Sequence, residues 1–501
     1  MPWFPIMHNQ IKSQIHRLVP VLLCCLFALF IFPPLELPAQ GIGGVGGGGV
    51  GGGVGGGAGG VAGGAAGGAQ GNRGGGGAQA AGIMVDAQGV VAAIFAPDNT
   101  GKLAQKRREA EARKTLPADM NVYAPMRKVS LVQLEQACES YSKKKENPTQ
   151  EMQYLAGLQR IDYIFVLPET NDLVLAGPAE GFAFDPVGRA VGVTTGRPPL
   201  RLDDLIVALR ALERGGTLGC SIDPKPDNLK RLNDYLAQNS FPASADVAKS
   251  RYPQMAKALG MQDVRIWGIP AESHFAEVLV EADYRMKLIS VGLETTPVKT
   301  LKSHLSMLGA NGNSMQRWWF IPLYDSCLKS EDGLAYQLVG QRTQLSSQEE
   351  VVDQGGQRSA AAVTRVSTQK FAQHFTEKFP ELANVSPAFA ELQSLIDLAV
   401  VAALFKKDQL PRKVGWKMAL FLDEEKALLA KRNVPRQVPS VANFKSAGKV
   451  IVGLVGGGVT VNPLQTANNL EYRSDSDGKL KSTRTRTADQ MPPAEHPWWW
   501  D

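Results

Sequence analysis

Residues 162–177 are DYIFVLPETNDLVLAG, two apolar runs on either side of the polar segment PETND. Apolar runs of this length, interrupted by Pro, Asn and Asp, are typical of antiparallel strands joined by a short connection. The next runs, GFAF at 181–184 and VGVTT at 191–195, flank residues 185–188, whose Asp, Pro and Gly suit the first, second and fourth positions of a type I turn. The sequence predicts a short antiparallel sheet in this region.

Helices alternate with strands on the C-terminal side of this sheet. Asp203 is predicted to cap a helix that ends on Gly215, followed by a strand at 218–222, helices at 226–238 and 245–259, a strand at 264–270 and a helix at 273–286. RWWFIPLY at 317–324 and LAYQLVG at 334–340, with Asp332 and Gly333 between them, predict a second hairpin. This pattern predicts an α+β fold with a mixed, largely antiparallel sheet.

The N-terminal side carries local signals of its own. IMVD from Ile83 and VVAAIF at 90–95 predict a hairpin, and Asp98 or Thr100 is expected to cap a helix that runs to about Leu116. Ser130 and Gln133 form a capping box ahead of an apolar stripe that includes Cys138.

Composition divides the chain into six parts. They are a signal peptide at 1–39, a disordered Gly-rich linker at 40–82, an α+β domain at 83–345, a polar linker at 346–365, a mainly helical region at 366–465 and a disordered tail at 466–501.

The N-terminus predicts export. Lys12 and Arg17 precede an apolar run at 18–32, and Pro33 ends the run ahead of a small residue, Ala39, after which we expect cleavage. The alternative is an uncleaved anchor, the one membrane contact expected of this protein, but the run is shorter than the roughly twenty residues that span a bilayer. Lipid attachment at Cys24 or Cys25 is disfavoured because both lie in mid-run. The expected location is the periplasm, the cell envelope or the extracellular space.

Charge and cysteine content limit the classes of function. The formal net charge of +6 is concentrated in residues 102–114, which hold six Lys or Arg against two Glu, and no basic stripe with interleaved aromatics follows, so we expect no nucleic-acid partner. After signal removal Cys138, Cys220 and Cys327 remain, an odd set that permits at most one intramolecular disulfide. Cys138 fits a buried apolar position, and Cys220 has no neighbour in sequence that would activate it.

The strongest metal candidate is the trio His274, Glu277 and Glu281. The spacing places the three side chains on one helix face, where a second element could complete a metal site, with Asp283 as an additional ligand. The competing interpretation is an exposed helix face, since Glu281 lies four residues before Arg285 in the favourable orientation for an ion pair.

Other candidates are single features. Asp203 and Asp204 suit helix capping, with Asp203 a weak binding candidate, and one of the strand neighbours Trp318 and Trp319 could face a sugar or a protein partner. VIVGLVGGGVTV at 450–461 is better explained by a hairpin than by a dinucleotide loop, because an apolar run follows the glycines. No GxSxG, HExxH or CxxC motif occurs. We therefore predict no catalytic residue and no cofactor.

Several blocks in the same order carry a family resemblance. They are YIFVLPETNDLVLAGPAEGF at 163–182, GVTTGRPPLRLDDLIVALR at 192–210, RIWGIPAESHFAEVLVEADYRMKLI at 265–289, RWWFIPLYD at 317–325 and DGLAYQLVG at 332–340. Together they resemble a family of exported planctomycete proteins catalogued only as a domain of unknown function. The resemblance covers roughly 83–404 and implies location and lineage; it implies no activity, and no site residue is transferred from it.

Two hypotheses of function follow. The first is a non-catalytic cell-envelope or extracellular protein that binds an envelope protein or a polysaccharide. The alternative is an envelope hydrolase or metal-dependent enzyme built around His274, Glu277 and Glu281.

Overall fold

The computed structural model describes residues 79–85, 91–96, 101–239, 244–308, 314–352, 355, 357–446, 450–493 and 498–501. The predicted signal peptide and most of the predicted Gly-rich linker lie outside these residues. Within them helices combine with mixed, largely antiparallel sheets, which confirms the predicted α+β class.

The strands form two large sheets and two hairpins. In chain order they are β1 (Gln79–Val85), β2 (Val91–Ala96), β3 (Ala124–Ser130), β4 (Tyr163–Leu167), β5 (Asp172–Ala179), β6 (Phe182–Phe184), β7 (Ala190–Gly192), β8 (Leu218–Pro224), β9 (Met261–Trp267), β10 (Ser314–Leu323), β11 (Ser326–Lys329), β12 (Ala335–Val339), β13 (Arg342–Val352), β14 (Arg358–Ala360), β15 (Gln437–Pro439), β16 (Ala442–Ser446), β17 (Val450–Val461), β18 (Tyr472–Ser474) and β19 (Trp499–Trp500).

One large sheet has the order β14-β13-β10-β17-β8-β9-β15, with β16 also paired to β17. The other has the order β18-β11-β12-β4-β5-β3-β19. Only β10–β17 and β11–β18 are parallel among the described strand pairs. The predicted hairpins β1–β2, β4–β5 and β6–β7 are present, and Gly188 donates its N–H to Asp185 across the last turn.

The helices pack on these sheets and on one another. They are α1 (Lys102–Thr115), α2 (Leu131–Lys144), α3 (Gln150–Gln153), α4 (Leu202–Arg214), α5 (Pro226–Gln238), α6 (Ala245–Leu259), α7 (His274–Ser290), α8 (His304–Met307), α9 (Val366–Val385), α10 (Pro387–Lys407), α11 (Leu410–Lys413), α12 (Pro463–Asn469) and α13 (Lys479–Asp489). Ser130 caps α2 through the N–H of Gln133, as predicted, whereas the N-cap of α1 is Gly101.

Helix α10 is the centre of the core. It is long and apolar enough to cross a bilayer, but its apolar 18-residue stretch is entirely buried against other protein elements, so here it serves as a core helix. Phe389 of α10 packs edge-on against Phe375 and Phe379 of α9, and all three surround Phe320 of β10. Phe371, Phe375 and Phe379, which lie four residues apart on α9, are all buried and serve for packing.

The predicted boundary at 346–365 is not a linker. Half of it lies in β13 and β14, of which β14 is the edge strand of the larger sheet, and the hydrophobic core is continuous from residue 112 to residue 499. Leu205 and Leu279 from the predicted first domain share this cluster with Leu395 and Leu398 from the predicted second region. Some of the polar residues form buried ion pairs, since Arg358 Nη2 lies 2.8 Å from Asp223 Oδ1.

Residues 450–461 form one strand and not the predicted hairpin. β17 runs parallel to β10 and antiparallel to β8 in the middle of the sheet. A Cβ on Gly457 would lie 1.9 Å from the carbonyl oxygen of Trp318, and one on Gly458 would lie 2.1 Å from that of Cys220. The glycines therefore permit close approach of neighbouring strands, a role that glycine also has without any turn.

The second predicted hairpin pairs different strands. LAYQLVG supplies β12, but its partner is β11 at Ser326–Lys329, while RWWFIPLY supplies β10 in the other large sheet. The predicted turn around Gly333 is present, since Gly333 donates its N–H to Ser330. The two residues between β10 and β11 carry the chain from one sheet to the other, a step that periodicity does not reveal.

The predicted disordered tail contains α13 and three further elements. β18 pairs with β11, and β19 pairs with β3, so both edges of the smaller sheet come from this segment. Trp499 packs against the Arg127 guanidinium at 4.8 Å, and Arg127 Nε donates to Asp501 Oδ1 at 2.6 Å. Polar composition predicted disorder because the residues that anchor this segment to the rest of the protein are few and lie close together in the sequence.

We predict that Asp172→Asn increases the free energy of unfolding at neutral pH. Burial raises the pKa of Asp172 to about 6, so the folded state holds this proton between about pH 4 and 6 while the unfolded state has lost it. In this window the folded state binds more protons than the unfolded state. The contribution of Asp172 to the free energy of unfolding therefore falls as pH rises through the window. Chemical denaturation at several pH values should show the gain growing between about pH 4 and 6 and reaching its full size above pH 6. An equal gain at pH 3 would contradict the assignment.

Candidate functional site

The candidate site is a polar cavity of about 90 Å³ where the first turns of α4, α7 and α10 meet. The turn before β7 and the loop 423–436 close its remaining sides. Its charged and titratable lining residues are Arg189, Arg201, His274, Glu277, Glu391 and Arg432. Few polar pockets of a fold concentrate this many ionisable groups, and such concentrations are a feature of functional sites.

His274 lies at the first position of α7, directly after the capping residue Ser273. Its Nδ1 is 2.8 Å from Asp204 Oδ2, and its Nε2 is 3.8 Å from Glu391 Oε1. Burial by itself lowers the pKa of His274, but the two carboxylates outweigh it, so the pKa is raised above the ordinary value. The imidazole is therefore stabilised as a cation between two acidic side chains.

Asp203 does not cap α4, contrary to the prediction. The N-cap is Arg201, and Asp203 lies within the first turn, where it accepts hydrogen bonds at 2.9 Å from Arg201 Nε and Nη2. Burial opposes ionisation of Asp203, but these bonds hold its pKa below the usual range. Arg201 also donates to Tyr154 Oη at 3.2 Å and stacks over the Tyr154 ring. Asp203 thus orients an arginine of the cavity wall.

The three predicted metal ligands do not converge on one site. His274 and Glu277 line the cavity, but Glu277 faces Arg432 at 3.8 Å, and Glu281 pairs with Arg189 and Arg285. The predicted Glu281–Arg285 ion pair is present at 3.6 Å, although the face is packed against other elements and not simply solvated. Across the part of the chain that the structure describes, no group of three or more His, Cys, Asp or Glu is arranged to hold a metal ion.

Asp283, the additional ligand candidate, lies on the opposite side of α7. It is fully buried and pairs with Lys287 at 2.9 Å, and Lys287 also donates to the carbonyl oxygen of Ile222 in β8. Asp283 therefore contributes to the core beneath the larger sheet.

Three buried atoms at the cavity have no hydrogen-bond partner in the described structure. They are Asp204 Oδ1, Glu391 Oε2 and Arg432 Nε. Glu391 Oε2 lies 3.2 Å from Arg189 Nε, so its charge is balanced by an ion pair. Asp204 lines a smaller cavity of about 10 Å³, which shares Arg201, His274 and Glu391 with the larger one. Buried polar atoms without partners are uncommon, and at a cavity they mark where a ligand can bind.

Trp318 and Trp319 lie away from this cavity. Trp318 is 0% exposed and packs between His304 and Phe371, with ring centroids 5.0 and 4.7 Å away. Trp319, on the opposite face of β10, is half-buried beside Arg317. Trp318 therefore cannot contact a partner.

The cysteines do not supply a nucleophile to the cavity. Cys138, Cys220 and Cys327 are all buried and none forms a disulfide. Burial raises the pKa of both Cys138 and Cys327 to about 12, which disfavours the reactive thiolate.

Sequence reasoning missed Arg189, Arg201, Glu391 and Arg432. For Glu391 a signal existed, because a carboxylate within an otherwise apolar helix is almost never buried unless it is paired. The partners themselves come from distant segments, so only the tertiary fold reveals them.

We predict that Asp204→Asn lowers the pKa of His274. The substitution removes the closest of the two carboxylates that stabilise the imidazolium, while burial, which favours the neutral ring, remains. Titration of the His274 ring resonances by NMR measures the change. Asp203→Asn, the same substitution one residue away, is the matched control and should shift the His274 pKa less; an equal shift would contradict the assigned pair.

Neither a curated protein nor a solved structure matches the chain at a significant level. One family model matches residues 220–304, a segment that includes His274 and Glu277 and that begins in β8. This segment is similar to the family described as "Protein of unknown function (DUF1598)".

Proposed function

We propose that this protein is an exported, non-catalytic binding protein of the cell envelope or the extracellular space, and that the cavity around His274 is its binding site. The N-terminal signal pattern and the resemblance to exported planctomycete proteins support the location. The Gly-rich segment after the signal would act as a tether for the folded part.

The observation that carries the binding role is the arrangement of His274, Asp204 and Glu391. All three groups are buried and line the smaller cavity, His274 and Glu391 also line the larger one, and Asp204 and Glu391 hold atoms without hydrogen-bond partners. The hydrogen bond between His274 Nδ1 and Asp204 Oδ2 and the approach of Nε2 to Glu391 fix the imidazole in one orientation. Polar groups that are ordered before a ligand arrives lose little conformational entropy on binding, which favours recognition.

Two measurements test the proposal. Fusion of residues 1–82 to a reporter that is active only outside the cytoplasm should give activity, and Leu23→Arg in the apolar run should abolish it. The full chain should sediment with isolated envelope material, and Arg432→Gln should weaken this binding. Lys431→Gln is the matched control, because the Lys431 side chain is 86% exposed and does not line the cavity. Cytoplasmic retention of the fusion, or no sedimentation of the wild-type chain, would overturn the proposal.

The His274–Asp204 pair also favours a second candidate, an envelope hydrolase. A carboxylate on Nδ1 orients the imidazolium, which could act as a general acid toward a leaving group. This candidate requires a reaction whose rate falls with His274→Gln, or stoichiometric zinc in the purified full chain; envelope binding without turnover of the bound material contradicts it.

A further inference from the structure

We propose that the cavity around His274 binds a neutral polyhydroxyl group, the edge of a sugar ring in an envelope or extracellular glycan. This inference rests on the proposed binding function and assigns it a class of ligand.

The first argument is charge balance. Each cation of the cavity faces a carboxylate: Arg201 with Asp203 at 2.9 Å, His274 with Asp204 at 2.8 Å, Arg189 with Glu391 at 3.2 Å and Arg432 with Glu277 at 3.8 Å. An anionic ligand would gain little from cations that are already neutralised, and it would be repelled by the carboxylates beside them. A cationic ligand meets the same obstacle from the arginines and His274. A neutral ligand is repelled neither by the carboxylates nor by the cations.

The second argument is the alternation of donors and acceptors. Arg432 Nε, in the wall of the cavity, is a buried donor without a hydrogen-bond partner. Asp204 Oδ1, a buried acceptor without one, belongs to the smaller adjoining cavity of about 10 Å³. Glu391 Oε2 is a further acceptor that makes no hydrogen bond. A hydroxyl group donates one hydrogen bond and accepts two, so neighbouring hydroxyls on one ring can satisfy both kinds of atom. Bonds to charged groups are also the stronger ones, which suits recognition of a well-hydrated ligand.

The third argument is size. About 90 Å³ corresponds to roughly three water molecules of liquid volume. That space admits one hydroxyl-bearing edge of a sugar ring, while the remainder of the ring stays at the mouth. Val187 lines the cavity and is 71% exposed, so it offers an apolar contact to the C–H face of such a ring. A site of this form suits one residue of a longer chain.

The experiment is titration calorimetry of the full chain with the neutral disaccharides cellobiose, maltose and N,N′-diacetylchitobiose. Galacturonate, glucose 6-phosphate and inorganic phosphate are the anionic probes. We expect one neutral sugar to bind with a Kd that does not change between low and high salt, because screening acts on charge and not on neutral hydroxyls. Arg432→Gln should raise that Kd about tenfold, whereas Lys431→Gln should leave it unchanged.

The Glu277→Gln variant distinguishes neutral from anionic ligands. This test remains informative even if the Arg432→Gln variant fails to fold. Removal of this carboxylate should tighten binding of any anion, whereas it should not tighten binding of a neutral sugar. Binding of the anionic probes alone, with a Kd that rises with salt, overturns the inference. So does an absence of neutral-sugar binding in a chain that still sediments with envelope material, and in that case the proposed binding function stands without this ligand. Loss of both would overturn the two together.

Discussion

Trp318→Ala is expected to lower the free energy of unfolding by about 3–5 kcal/mol. The indole is fully buried in the contact between the larger sheet and α9, where it packs against His304 and Phe371. Truncation removes a large apolar group and leaves a cavity that rigid strand neighbours cannot fill. Denaturant unfolding followed by circular dichroism measures the change.

Trp319→Ala provides the matched control. The residue is the same and the strand is the same, but the side chain points to the other face of β10 and is only half-buried. We expect a clearly smaller loss of stability. Equal losses for the two variants would show that the difference in burial does not govern the energetics of this strand.

Lys287→Met and Asp283→Asn are each expected to destabilise the protein by about 3–5 kcal/mol, because either change leaves one charge buried without its partner. Both side chains are fully buried, and they are 2.9 Å apart on successive turns of α7. Burial already raises the pKa of Asp283 to about 6 even with Lys287 beside it. Loss of Lys287 should therefore raise that pKa further and favour protonation.

The double variant Asp283→Asn/Lys287→Met completes the cycle. Since it leaves neither charge unpaired, it should be less destabilised than the sum of the single variants. Urea unfolding of the four proteins yields the coupling energy. Additive losses would mean that the two charges do not stabilise each other.

Local signals predicted much of the secondary structure. The hairpins β4–β5 and β6–β7 follow from turn residues between apolar runs, and the N-terminus of α2 follows from the Ser130 cap. The predicted hairpins within 450–461 and between 317–324 and 334–340 are wrong, because an apolar run indicates a strand but not its partner. Partners are chosen by packing between distant segments, which the glycines of β17 permit at close range.

The candidate site depends even more strongly on contacts between distant segments, which local sequence patterns do not predict. His274 and Glu277 were identified from spacing on one helix, yet the spacing pointed to a metal, and the actual neighbours of His274 are Asp204 and Glu391. These residues are 70 and 117 positions away in sequence. Helical periodicity relates residues three or four apart, so it cannot reveal contacts of this range.

The sequence by itself determined the α+β class, the position of most helices and the short hairpins, because these depend on side-chain periodicity, caps and turn residues within a few positions. Only the tertiary structure decided that 346–365 contributes to β13 and β14 of the larger sheet, that the C-terminal tryptophans are buried, and that the N-terminal turns of three helices meet around His274. The physical reason is that burial and charge pairing depend on which distant surfaces meet, whereas sequence patterns relate only residues that are a few positions apart.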